Sequence, residues 1–204
     1  MDMTEESFRA LARSSPWRWR SVHLVRHDGA GQVEAWVRRP DLLRVATAEG
    51  TWVQNGRTDE VETERGTDPI WQSYDWVAML APVEVADGEG GPGTVLTQLR
   101  ETERRGRRTW WAQAVPTAAY WPRCGCCALL WSEVSDRGEY GTEESPFVPT
   151  ASYPASYTVA LDVESGICVE VSHVGGDRPS PDLDVTILAV NEEYPDDLFV
   201  GPSF

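Results

Sequence analysis

The chain has 204 residues, of which 41% are hydrophobic and 25% charged, and a formal net charge of -15 at pH 7. That composition is too apolar for a disordered chain, and the length suits a single domain whose core needs no disulfide staples. A negative field of this size repels phosphate backbones and anionic bilayers, which argues against nucleic acid and peripheral lipid and towards a neutral or basic partner.

Lysine is absent, and arginine supplies all 18 strongly basic side chains. The opening Met1-Asp2-Met3-Thr4-Glu5-Glu6 has neither a basic n-region nor an apolar h-region. No apolar run approaches the ~20 residues that span a bilayer. The expectation is a cytoplasmic protein without a transmembrane segment, its four cysteines reduced or metal-bound.

Thr4 as N-cap, with Phe8, Leu11 and Ala12 at helical spacing, predicts a short amphipathic helix over 4–12 that Pro16 stops. Period-two patterning follows. Residues 17–27 read as a long strand, Asp28 to Gly31 as a turn, and 32–39 as the returning strand with Val33, Ala35 and Val37 on one face. Beyond Pro40-Asp41, Leu43 and Val45 alternate towards Glu49-Gly50. Residues 51–54 and 58–62 flank an Asn55-Gly56 turn.

Asp68 as N-cap and Pro69 at the first position then predict a helix carrying Ile70, Trp71, Tyr74, Trp76, Val77 and Leu80, ended by Pro82. Gly88, Gly90 and Gly93 spell a dinucleotide fingerprint, but Pro92 interrupts it and a strand pattern follows where a helix should open. Residues 95–104 and 107–115 form a hairpin turning at Gly106, and 116–155 read as irregular. Three further strands are carried by Tyr157, Val159 and Leu161, by Ile167, Val169 and Val171, and by Leu183, Val185, Ile187 and Ala189. Together these predict an α+β fold over 1–204: a curled antiparallel half-barrel meander, an N-terminal helix, and a central helix packed on the concave face. A cysteine-rich irregular insertion occupies about 116–155.

This order of elements resembles the bacterial lipoprotein-carrier family, the LolA-like half-barrels. Three places carry the resemblance. The first is the opening helix and meander, with "RRPDLLRV" at 38–45 and "EGTWVQNG" at 49–56. The second is the helix over 70–80 ending at Ala81-Pro82. The third is "YTVALDVESGICVEV" at 157–171 with "DLDVTILAVNEEYPDDLF" at 182–199. The resemblance implies a helix-lined hydrophobic cavity for an acyl chain, or a protein-docking face. The expected lack of an export signal and the cysteine-rich segment both depart from the family pattern.

Two features point to chemistry. Cys124 and Cys127 have C-x-x-C spacing, with Cys126 between them, and Cys168 or His173 could complete a zinc site. The same cysteines could instead serve thiol–disulfide exchange beside Arg123, or fill a loop as small apolar side chains. The ten tryptophans are the other feature. Trp17, Trp19, Trp36, Trp110 and Trp111 are the candidates for lining a ligand or partner surface, where indole combines area with a polar N–H. Trp110 and Trp111 must point to opposite faces. His23 and His27 share a strand face about 13 Å apart, too far to hold one metal. No nucleophile, zinc-hydrolase or P-loop motif appears.

The expectation is therefore a non-enzymatic protein that binds an apolar ligand or a neutral or basic protein partner on the concave face, with no required cofactor. A thiol- or zinc-dependent role of the cysteine loop is the alternative.

Overall fold

A computed structural model of the chain describes residues 2–28, 31–55, 76–88, 90–122, 128–141, 148, 152–177 and 182–202. Helix α1 (Glu5–Arg18) opens with a reciprocal cap: the Ser7 N–H donates to Thr4 Oγ1 at 3.1 Å, and the Thr4 N–H to Ser7 Oγ at 2.7 Å. Phe8, Leu11, Ala12 and Ser15 form its buried stripe. The helix does not stop at Pro16 but runs two residues further. Pro16 withholds one N–H from the last turn, a single lost hydrogen bond. The Arg39 guanidinium also donates to the Pro16 and Trp19 carbonyls and lies 3.6 Å over the Trp19 ring. Trp17 and Trp19 therefore precede the first strand instead of beginning it.

Among the described residues nine antiparallel strands follow: β1 (Ser21–Asp28), β2 (Gly31–Arg38), β3 (Leu42–Thr47), β4 (Gly50–Asn55), β5 (Thr94–Arg104), β6 (Arg107–Pro116), β7 (Ser156–Asp162), β8 (Cys168–Val174) and β9 (Leu183–Val190). Their order is β4-β3-β2-β1-β9-β8-β7-β6-β5. One meander runs outward from β1 and a second runs inward to β9, and the two join where Leu24 pairs with Ile187 and Arg26 with Val185. The β5–β6 turn places Arg105 at φ 51 and Gly106 at φ 78, the two left-handed positions of a type I′ hairpin.

One face of the sheet carries the core: Val22, Leu24, Ala35, Val37, Leu43 and Val45 from the first meander, with Trp110, Ala112, Tyr157, Val159, Leu161, Val171 and Val185 from the second. Helix α1 packs there, and so close to the β7–β8 turn that a Cβ on Gly166 would stand 3.2 Å from the Leu11 carbonyl oxygen. The sheet is strongly curled. Arg104 at the β5–β6 tip donates to Glu170 in β8 at 3.2 Å and to the Val185 carbonyl in β9 at 2.7 Å. Four strand spacings would separate β5 from β9 by about 19 Å in a flat sheet.

Of the expected central helix, the described part is α2 (Trp76–Met79), followed by a 3-10 turn (Val83–Val85). Both are buried among the core residues, and the Leu80 carbonyl accepts from the Cys168 N–H at 3.0 Å. The 58–62 strand and the first part of that helix lie outside the described residues. The segment expected to be irregular contains helix α3 (Glu133–Tyr140), capped by Ser132. Apart from Val134 and Tyr140 its residues are polar or glycine, with Gly138 inside, so propensity does not advertise it.

The C-terminal segment crosses the face of β2 and β3 opposite the core. Arg38 donates to the Tyr194 carbonyl and to Asp196, and Arg44 to the Leu198 carbonyl, each at 2.7 Å. Phe199 is buried beneath the Arg38 guanidinium, 4.8 Å from ring centroid to cation. The Val53 N–H of edge strand β4 donates to the Pro202 carbonyl at 3.0 Å, so the tail covers that edge.

Candidate functional site

The five candidate tryptophans do not share a surface. Trp19 and Trp110 are core residues, 2% and 1% exposed. The Trp110 Nε1–H donates to Glu101 at 2.7 Å, and Arg108 holds the same carboxylate. Trp36 and Trp111 occupy the other side of their strands. Trp36 stacks on His23 with centroids 4.4 Å apart, and the His23 ring contacts Glu34 at 2.8 Å. Trp111 lies beneath Arg100 and donates to Thr102. Trp17 stands on α1, 68% exposed. Alternation predicted the Trp110–Trp111 split; the exposure of Trp17 and the burial of Trp19 depended on α1.

Cys124, Cys126 and Cys127 lie outside the described residues. Cys168 is a free thiol, fully buried between β7 and β9. Burial pushes its pKa up to about 12. A thiol held protonated in this way is a poor metal ligand and nucleophile. Among the described residues, no three His, Cys, Asp or Glu side chains are grouped to hold a metal ion. His173 contacts Asp182 at 2.8 Å, and His27 contacts Thr186 at 2.8 Å.

A concave site is found elsewhere, at the rim of the sheet. Here the first turns of α1 meet the start of β5, flanking a shallow, open cavity of about 460 Å³ lined by Glu5, Arg9, Pro92, Thr94, Val95, Leu96 and 117–119. Its size is within the range of ordinary ligand pockets. Arg9 shapes it. Although charged, Arg9 interrupts the apolar stripe of α1 and is only 7% exposed. Its five N–H donors are all engaged: Nη1 on the Val85 and Ala86 carbonyls at 2.9 and 3.0 Å, Nη2 on Glu5 Oε1 and the Thr94 carbonyl at 2.8 and 2.7 Å, Nε on Glu5. It thus ties α1, the 3-10 turn and β5 together, and keeps no donor for an anion. Glu5 is half-exposed, so the cavity has mainly apolar walls and an acidic margin.

Sequence reasoning missed this site. The available signal was Arg9 itself, an arginine set between Phe8 and Leu11 where the helix faces inward. No family model matches the chain, and no curated protein matches it. No helix among the described residues is long and apolar enough to cross a membrane.

Proposed function

We propose that the chain is a non-enzymatic binding protein of LolA-like half-barrel type, whose site is the cavity at the rim between α1 and β5. The curled, open sheet with its N-terminal helix supports the architecture. The concave side is packed with Phe8, Leu11, Trp19, Leu80, Leu129 and Leu130, which moves the site from the barrel interior to the rim. The 460 Å³ cavity carries this reading. Its apolar walls suit an aliphatic or small aromatic group, and the acidic margin at Glu5 favours a neutral or cationic one.

The test is a ligand-observed NMR screen of small apolar amines and amides against the full chain, repeated on Ala118→Trp. Ala118 is exposed on the cavity wall, so the indole fills the space at little cost to the fold. Hits should lose at least tenfold in affinity with that substitution. Hits that bind the filled protein equally well would place the site elsewhere and end this reading.

A further inference from the structure

The backbone of β5 allows the occupant of this cavity to be named by class, an inference that rests on the reading above. The Thr117 N–H donates to the Gly93 carbonyl at 3.0 Å, which makes Gly93–Thr117 a hydrogen-bonded pair of the β5–β6 ladder. The register continues with Thr94 opposite Pro116, Val95 opposite Val115 and Leu96 opposite Ala114. Hydrogen-bonded and non-hydrogen-bonded pairs alternate in an antiparallel ladder. The N–H and C=O of Thr94 and Leu96 therefore point away from β6, to the open edge of the sheet.

Arg9 agrees with this geometry, since it meets the Thr94 carbonyl from that side. Its guanidinium takes the place a neighbouring strand would have at the start of β5. The next outward pair, on Leu96, borders the cavity. The regular edge ends after Thr97, where the register shifts and Gln98 adopts φ 52. Beyond it, alternating Arg100, Glu101, Glu103 and Arg104 guard the strand against long pairing. With Arg9 on the Thr94 carbonyl, the usable edge is residues 95–97, about 10 Å. At the sheet's other edge, the tail already covers Val53.

We propose that residues 95–97 receive a short extended segment of a basic partner protein, which adds to β5 beyond Arg9 and seats one apolar side chain in the cavity. An extended chain is the ligand that offers a donor and an acceptor at strand spacing to Leu96. The charge follows from Glu5 at the margin, from an Arg9 with no donor to spare, and from a net charge of -15.

The experiment is panning of a random heptapeptide phage library on the full chain, with enriched peptides resynthesised and measured by fluorescence anisotropy. Enriched sequences should alternate apolar residues with Arg or Lys. Affinity should fall at least tenfold when one peptide N–H that faces β5 is N-methylated, and again for Leu96→Pro. N-methylation leaves the protein untouched, so it decides the matter even where Leu96→Pro fails to fold. Enriched peptides that bind equally well after N-methylation at each position would overturn strand addition while leaving the cavity as a side-chain pocket. No enrichment over Ala118→Trp would overturn the peptide class. Loss of the fragment hits described above would instead remove the cavity itself.

Discussion

Asp162 is 1% exposed, yet it keeps its charge. Arg107 grips it with two N–H groups at 2.7 and 3.0 Å, and Ser165 adds its N–H and O–H at 2.8 and 2.6 Å. Burial pushes the carboxyl pKa up, but Arg107 and Ser165 together outweigh it and hold the group below its usual value. Asp184 behaves alike: burial raises it, and Arg105 and Arg104 lower it further. A depressed folded pKa contributes stability that is complete above the unfolded value near 3.9 and disappears as pH falls through the folded one. The melting temperature should therefore stay flat from these groups between pH 5 and 7 and drop below about pH 4. Asp162→Asn should cost about 3 kcal/mol at pH 7, towards the low end for a broken buried pair because Arg107 is partly exposed. That corresponds to roughly 6–12 °C. The substitution should also flatten the acid limb of a Tm-against-pH series; an unchanged limb would mean that other carboxylates govern acid unfolding.

At the scale of elements, Glu84 in the 3-10 turn holds a long connection in place. Its buried carboxylate accepts the Tyr120 O–H and the Leu129 N–H, the latter at 3.0 Å, and the Tyr120 oxygen accepts the Leu130 N–H at 3.0 Å. Burial raises the Tyr120 pKa well above its ordinary value and the Glu84 charge adds to this, so the phenol remains a donor. The tether grips both sides of 123–127, the stretch that carries three of the cysteines. Glu84→Leu strands two buried donors and should cost about 3 kcal/mol. Hydrogen exchange at Leu129 and Leu130 should accelerate more than in β9. Equal acceleration in both places would show general destabilisation and no tether. In the sequence, Glu84 stands between two valines after Pro82, a local pattern that does not mark it as buried. Its partners are 36 and 45 positions away.

Across the whole molecule, the β1–β9 pairing makes two meanders one sheet. Val22 and Val190 meet although 168 positions part them, a closure with high entropic cost that predicts slow folding for a chain of this size. Ile187→Ala, at a 7% exposed site facing Leu24, should cost 2–5 kcal/mol and lower amide protection in β3 and β7 alike. Protection that survives in either meander would reveal two separately folding halves.

The strand pattern of β2, β3, β5, β6, β7 and β9 was legible because alternation, turn residues and hairpin closure act among neighbours in the chain. The same local chemistry marked the Thr4 cap and the inward face of α1. Tertiary structure decided what neighbours cannot. Arg39 lets α1 run through Pro16 from 23 positions away. Arg9 binds Thr94 across 85 positions and so creates the rim cavity. The curl of the sheet brings Arg104 to β9, and α1 determines that Trp19 is buried while Trp17 is exposed. By itself, then, the sequence determined the antiparallel strands and the first helix, whose energetics are set within a few residues. The joining of the meanders rests on the β1–β9 pairing and the place of the site on the buried Arg9, and both link distant segments that meet only when the whole chain has closed.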